Sequence, residues 1–239
     1  MESNFLKINA QKTKAIFFTT PRASRPSISL VINDSIIEFV PKLRCLGVIL
    51  DEFLSFEHHI NHLSASIHFT LQRLYSLNIV LSKEIKLKIA HALLLSKLLY
   101  GLEVYSGCNS TQTMRVKLLF NRVARYVYNI KRSDHISEHV HSMLNCNVEC
   151  FIKLRVILLL YKIIGFQKPL YLTRLFTFSA SLRNQQIVRP RIFTSLFEQS
   201  FVVRASRIWN GFPRQLKQFS FTLTVFKNRI TSLAANNML

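Results

Sequence analysis

Acidic residues are scarce in this chain: 12 Asp and Glu stand against 32 Lys and Arg over 239 residues, a formal charge of +20. The deficit is steepest after residue 150, where Glu198 is the only acid beside 14 cations. Such a surplus repels itself unless a polyanion or an anionic surface neutralises it, and nucleic acid is the partner class that this balance points to. Only Asp34, Asp51 and Asp134 are aspartates, and no two are adjacent. A two-metal nucleotidyl-transfer site needs at least two carboxylates close together, and the sequence does not offer them. Glycine is almost as rare. The five glycines, at 47, 101, 107, 165 and 211, are too scattered for a phosphate-cradling loop, and no G-x-S-x-G is present. With six prolines, they predict long elements and few tight turns.

Long uncharged apolar runs are missing too. The most apolar window, Val156–Tyr161, is hemmed by Arg155 and Lys162, far short of the ~18 residues of a membrane span. Met1-Glu2-Ser3-Asn4 is neither basic nor apolar enough to open a signal peptide. Four cysteines without secretory features suggest reduced thiols in an intracellular protein.

What is present is a core. The apolar fraction is 49%, with 19 phenylalanines, and a chain this long buries roughly 70% of its unfolded surface without metals or disulfides. Residues 13–50 read as strands: TKAIFFT and SISLVI flank a basic loop at Pro21–Pro26, and Asn33–Asp34 is a hairpin turn before SIIEFV. From Ser55, a fair N-cap, the period changes. Phe56, Ile60, Leu63, Ile67, Leu71 and Leu74 fall on one helical stripe. Ser82 opens a second helix with Ile85, Ile89, Leu93 and Tyr100 along it, and Leu119, Val123, Tyr126, Val127 and Ile130 mark a third, bordered by Arg115, Arg122 and Arg125. Phe151–Ile164 is a fourth, stopped by Gly165 and Pro169, and residues 176–200 lean towards β, with Arg189-Pro190-Arg191 exposed. The fold class is therefore α+β: a small antiparallel β-rich N-terminal part, then a mainly helical body.

Two clusters invite a metal. His58 and His62 stand at i, i+4, but H-E-x-x-H is absent and a surface pair is the better reading. His135, His139, His141, Cys146 and Cys150 have zinc-binding chemistry at a spacing that matches no usual finger, so a polar helix face with two small buried cysteines is preferred. No metal or cofactor site is expected in this chain.

Five segments, taken in order, resemble one family from end to end: LKINAQKTKAIFF, KLRCLGVILDEFLSFEHHI, LLSKLLYGLEVYSG, FNRVARYVYNIKRSDHIS and SFVVRASRIWNGFPRQLKQFSFTLTVFKNRI. Together they resemble the reverse transcriptase of jockey-like non-LTR retrotransposons, in the part that follows the catalytic carboxylates. Phe212 stands where that family often has Leu, and Phe56 where Trp is common. The resemblance implies the end of the palm with a primer-grip hairpin at 1–54, a helical thumb at 55–132 and a basic C-terminal helical region at 133–239. It implies a role for Lys12 near the leaving pyrophosphate and for Leu46 and Gly47 at the primer end. Arg115, Arg122, Arg125, Lys131 and Arg132 are the thumb cations placed nearest a nucleic-acid backbone, where contacts to phosphate and sugar tolerate any sequence.

The implied partners are an RNA/DNA template–primer and the palm and fingers of the same polyprotein, with neither a membrane nor a small-molecule substrate. The implied location is a nuclear or cytoplasmic ribonucleoprotein. Mg²⁺ is implied only for a complete polymerase, and the chain alone is expected to be inactive. Two other readings stand beside this one: a free-standing basic helical RNA/DNA-binding module without enzymatic activity, and a peripheral membrane protein held by charge and the apolar helix. Trp209 is expected in a packing knot, with Asn210 and Pro213 setting a turn and Phe226 returning against the ring. The strands of 13–50 are expected to show apolar faces and open edges.

Overall fold

The computed structural model describes residues 8–21, 23, 27–76, 81–179, 185–217, 219 and 221–235. Most of the basic loop at Pro21–Pro26 lies outside the described residues. Contacts divide the chain into two compact units, Met1–His62 and Leu63–Leu239.

The first unit is the β-rich part. It contains β1 (Lys14–Ala15), β2 (Leu30–Ile32), β3 (Ser35–Phe39), β4 (Lys42–Cys45) and β5 (Val48–Asp51). The hairpin at Asn33–Asp34 is present: both residues are left-handed, with φ 47° and 60°, and Ile32 pairs with Ser35 across them. A second antiparallel hairpin joins β4 to β5 with Cys45 opposite Val48. One pairing goes beyond the expected antiparallel set: β1 runs parallel to β3, with Lys14 opposite Glu38 and an ion pair of 3.4 Å between them. Ile37 is buried, whereas its neighbours across the pleat, Val31 and Ile36, are paired with each other and open to solvent, Ile36 at 78%. The apolar sheet face expected from the sequence is there.

Asp51 controls the exit from β5. Its Oδ1 accepts from the Phe53 and Ser55 amides at 3.1 and 3.0 Å, and its Oδ2 from the Phe56 amide at 2.9 Å and the Ser55 hydroxyl at 3.1 Å. These bonds hold a turn in which Leu54 and Phe56 are left-handed, at φ 50° and 58°. The helix α1 (Glu57–Tyr75) therefore starts one residue later than a Ser55 N-cap requires, although the Ser55 hydroxyl still accepts from the Glu57 amide at 3.2 Å. The predicted stripe holds throughout: Phe56, Ile60, Leu63, Ile67, Leu71 and Leu74 are all buried.

The second unit is helical, with α2 (Lys83–Ile89), a π-helical turn at Ala90–Leu95, α3 (Ser96–Leu99), α4 (Leu102–Tyr105), α5 (Ser110–Tyr128), α6 (Ser137–Leu144), α7 (Val148–Phe166), α8 (Leu170–Thr173), α9 (Ser195–Glu198), α10 (Phe201–Gly211) and α11 (Leu223–Ala235). Asn109 and Asn147 cap α5 and α7, accepting from Gln112 at 2.9 Å and Cys150 at 2.8 Å. The helix that begins after Ser82 buries a different face from the one expected. Ile85, Leu93 and Tyr100 are exposed; Lys86, Ala90, Leu94, Leu95, Leu98 and Leu102 are inside. The π turn, bonded i to i+5, shifts the phase of the helix. Its inward face also carries a lysine. The buried Lys86 ammonium donates to Asn129 Oδ1 at 2.9 Å, at the left-handed cap of α5, where the helix dipole is negative. α7 outruns its predicted limits at both ends and passes through Gly165 to Phe166.

A core formed by α7, α10 and α11 contains the tryptophan knot. Trp209 is 0% exposed and stacks on Phe219 at 5.0 Å and 11°. Phe226 is in the same core but stacks on Tyr161, at 3.8 Å, so the expected ring partner is corrected to Phe219. Asn210 does more than turn the chain. Its side chain donates to the Ile187 carbonyl at 2.8 Å and accepts from the Ile187 amide at 2.9 Å, while the Trp209 indole donates to the Gln185 carbonyl at 2.8 Å. The pair thus fastens the segment around 185–188, which also bridges back to Thr177–Ser179.

Candidate nucleic-acid interface

The predicted site residues fall into two groups, one in each unit. In the first unit, Lys12 ends a short 3₁₀ turn, Ala10–Lys12, that Asn9 caps through a 3.1 Å bond to the Lys12 amide. Its side chain is exposed. Leu46 and Gly47 form the two-residue tip of the β4–β5 hairpin, with φ 45° and 89°. Two positive φ values in succession suit the primed turn that fits strand twist, and such turns favour Asn-Gly. Leucine at the first position is strained, and its side chain is 87% exposed. An apolar side chain held in an unfavourable backbone state and offered to solvent is a feature the hairpin does not need for its own stability. The foot of the hairpin is braced by Asp51 and by His59, whose buried Nδ1 accepts from the Ile49 amide at 3.4 Å. Burial, then the charges of His62 and Arg44, push the His59 pKa down.

In the second unit, Arg115 and Arg122 stand seven residues apart on α5, so they share a face about 10 Å apart along the axis. Arg115 donates to Gln112 Oε1 at 3.1 Å, and Arg122 is exposed. Arg125 is employed differently. Its Nη1 donates to the Lys131 carbonyl and its Nη2 to the Asp134 carbonyl at 3.0 Å. It clasps the loop after α5 and so presents Lys131 and Arg132, both exposed. The structure therefore brings Arg125, Lys131 and Arg132 together at one end of α5, with Arg122 a turn before them.

Charge is divided very unequally. Residues 1–62 hold seven Lys/Arg and six acids; residues 63–239 hold 25 Lys/Arg and six acids. Three of the latter acids are already paired: Glu103 with Arg155 at 2.7 Å, Glu198 with Arg207 at 2.8 Å, and Glu149 with Lys117. Arg204, beside the knot, is sunk into the fold with Nη2 donating to Ser106 Oγ at 2.8 Å. A Cβ on Gly107 would meet its Nη1 at 2.4 Å, so the glycine is what admits the arginine.

His58 and His62 are exposed and His59 is buried. Cys146 and Cys150 are buried free thiols, burial pushes Cys146 up to about 12, and His139 packs edge-on against Tyr128 at 5.0 Å. Among the described residues no group of three His, Cys, Asp or Glu is placed to hold a metal ion. Both Asp51 oxygens are taken by amides and a hydroxyl, Asp34 is in a hairpin turn and Asp134 accepts from Ser133 at 2.9 Å.

The sequence is similar to polymerases of retrotransposons. Over 125 residues, 51% of this chain, it is 28% identical to the RNA-directed DNA polymerase from mobile element jockey of Drosophila funebris. It is 27% identical over 125 residues to the protein of the same name from Drosophila melanogaster. The chain spans 13% of the length of each of those relatives. About half of this chain is thus similar to a part of those polymerases. No protein-family profile matches it, and no solved structure matches it. No described helix is long and apolar enough to cross a membrane.

Proposed function

We propose that this chain is the part of a retrotransposon RNA-directed DNA polymerase that follows the catalytic carboxylates, and that it holds template–primer nucleic acid without itself polymerising. The observation that carries this reading is the similarity to the jockey polymerases over half the chain. In this reading 1–54 ends the palm, 55–132 is the thumb and 133–239 is a basic C-terminal region. Leu46 and Gly47 meet the primer end, and Lys12 lies towards the pyrophosphate. Arg115, Arg122, Lys131 and Arg132 meet phosphates, while Arg125 positions the last two. The exposed Val31–Ile36 face is covered by the palm and fingers of the same polyprotein, inside a nuclear or cytoplasmic ribonucleoprotein.

Asp51's commitment to its own turn supports the absence of chemistry in the isolated chain. A second reading, a free-standing nucleic-acid-binding module, draws on the concentration of cations in residues 63–239. Binding of a labelled RNA–DNA hybrid across a salt series tests both. Four phosphate contacts give a slope of roughly −3 to −4 in log K against log salt, and a flat line sinks both. Primer extension with Mg²⁺ or Mn²⁺ tests the first alone: template-dependent synthesis by the purified chain overturns it, and none is expected.

A further inference from the structure

The knot built on Trp209 and Asn210 has a product: it fixes one end of an exposed basic arm, Val188–Phe193 (Val-Arg-Pro-Arg-Ile-Phe). At its near end Ile187 is buried and bonded through both its amide and its carbonyl to Asn210, and the Val188 amide donates to the Thr177 carbonyl at 2.8 Å. At its far end the Thr194 hydroxyl caps α9, accepting from the Phe197 amide at 3.1 Å. Between these anchors the chain has no regular secondary structure and no left-handed residue. Pro190 fixes its own φ and drives Arg189 to an extended conformation. Alternation along an extended run groups Arg189, Arg191 and Phe193 on one side, the two arginines about 7 Å apart. Phe193 is 84% exposed. Among the described residues no ion pair or hydrogen bond engages either guanidinium.

A phenylalanine ring left in water beside two uncommitted arginines, on a segment anchored at both ends, suits an unpaired base more than a duplex. Every base has a face to stack, and successive phosphates then run past the cations. In a duplex the base faces are already stacked on one another and are closed to Phe193. The geometry points to Val188–Phe193 as a single-strand-binding arm, in which Phe193 stacks on an unpaired base and Arg189 and Arg191 take the flanking phosphates. This rests on the nucleic-acid reading above and adds to it a preference for unpaired strand at this place. The Trp209–Asn210 pair is then a positioning device for the arm.

The test uses the full chain, a 12-nucleotide oligouridylate and an RNA–DNA hybrid duplex of the same length, with affinity read by fluorescence anisotropy. Phe193→Ala is expected to weaken oligouridylate binding roughly 5- to 100-fold and to leave the hybrid within two-fold. Phe193→Tyr restores the affinity because the ring face is kept. Phe193→Leu does not, whereas an apolar contact with a protein or a lipid surface would accept leucine. Arg189→Ala with Arg191→Ala lowers the single-strand salt slope by about 1.4, two phosphates at ~0.7 each. An oligouridylate affinity unchanged by Phe193→Ala, an equal loss on the duplex, or rescue by leucine overturns the arm and leaves the duplex-binding proposal standing. A wild-type chain that binds neither probe overturns both. Since Phe193 is so exposed, the melting temperatures of these variants should match the wild type, which separates loss of binding from loss of fold.

Discussion

Replacing Trp209 by alanine should damage the fold far more than it damages nucleic-acid affinity. The indole is wholly buried, lies flat against Phe219 and gives its N–H to the Gln185 carbonyl. Truncating a buried tryptophan costs about 3–5 kcal/mol, through lost transfer energy and the cavity left behind. The lost hydrogen bond adds little, because Gln185 is exposed and water can take the place of the indole. Whole domains are stable by only about 5–15 kcal/mol, so the variant should be marginal. Two further variants divide the effect. Trp209→Phe keeps a ring against Phe219 and gives up the N–H and part of the indole volume, at about 1 kcal/mol. Asn210→Ala strips both the amide and the carbonyl of buried Ile187 of their partner, at about 2 kcal/mol or more. The expected order of cost is therefore Trp209→Ala, Asn210→Ala, Trp209→Phe. Urea unfolding followed by far-ultraviolet circular dichroism is the suitable assay, since Trp209 is the only tryptophan and its removal also removes the natural fluorophore. A Trp209→Ala variant within about 1 kcal/mol of wild type, with a weakened duplex affinity, would refute the reasoning and return the tryptophan to the binding surface.

Asp51→Asn should lower stability by roughly 1–3 kcal/mol, because the amide nitrogen that replaces one carboxylate oxygen cannot accept the Phe56 amide bond, or, with the amide turned round, those of Phe53 and Ser55; an unchanged melting temperature would argue against its structural role. Leu46→Asn should steady the β4–β5 turn by about 1 kcal/mol, as the left-handed residue becomes one that tolerates it, and weaken hybrid binding if the leucine meets the primer end. Hydrogen exchange at Val48 and anisotropy measure the two effects separately. His59 has a folded pKa below its unfolded value of 6.5, so its contribution is complete above that pH and is lost as pH falls through the folded pKa. Urea midpoints should therefore drop from pH 7.5 to 5, and a His59→Gln variant should flatten part of that dependence. Ile36→Lys, on the open sheet face, should raise the soluble yield of the chain without altering its melting temperature.

The stripes of α1 and α5 were legible because each depends on local spacing: that of α1 is buried throughout, and that of α5 is buried from Leu119 to Val127, with Ile130 falling beyond the end of the helix at Tyr128. The helix after Ser82 was misread for a physical reason. Spacing pointed to Ile85, Ile89 and Leu93, whereas the face that is buried, Lys86-Ala90-Leu94-Leu98, includes a lysine. A buried ammonium becomes acceptable only when the C-terminal end of α5, 43 residues away, supplies Asn129, and spacing within one helix carries no trace of that. The Trp-Asn pair was recognisable as a knot, but its partners Phe219, Gln185 and Ile187 belong to irregular segments that have no period to read.

Arginine is the hardest residue to interpret from sequence, because its charge looks the same whether the fold or a ligand uses it. Arg125, Arg155 and Arg204 are occupied by carbonyls, a carboxylate and a hydroxyl of the protein itself. Arg122, Lys131, Arg132, Arg189 and Arg191 are exposed, and no hydrogen bond or ion pair occupies their side chains among the described residues. A polyanion can recruit the second set without breaking the fold, and cannot recruit the first without doing so. The formal +20 therefore overstates the charge that a polyanion could recruit. Affinity should follow the uncommitted cations, so Arg122→Ala should flatten the hybrid salt slope by about 0.9, while Arg125→Ala should act mainly by releasing the 131–134 loop.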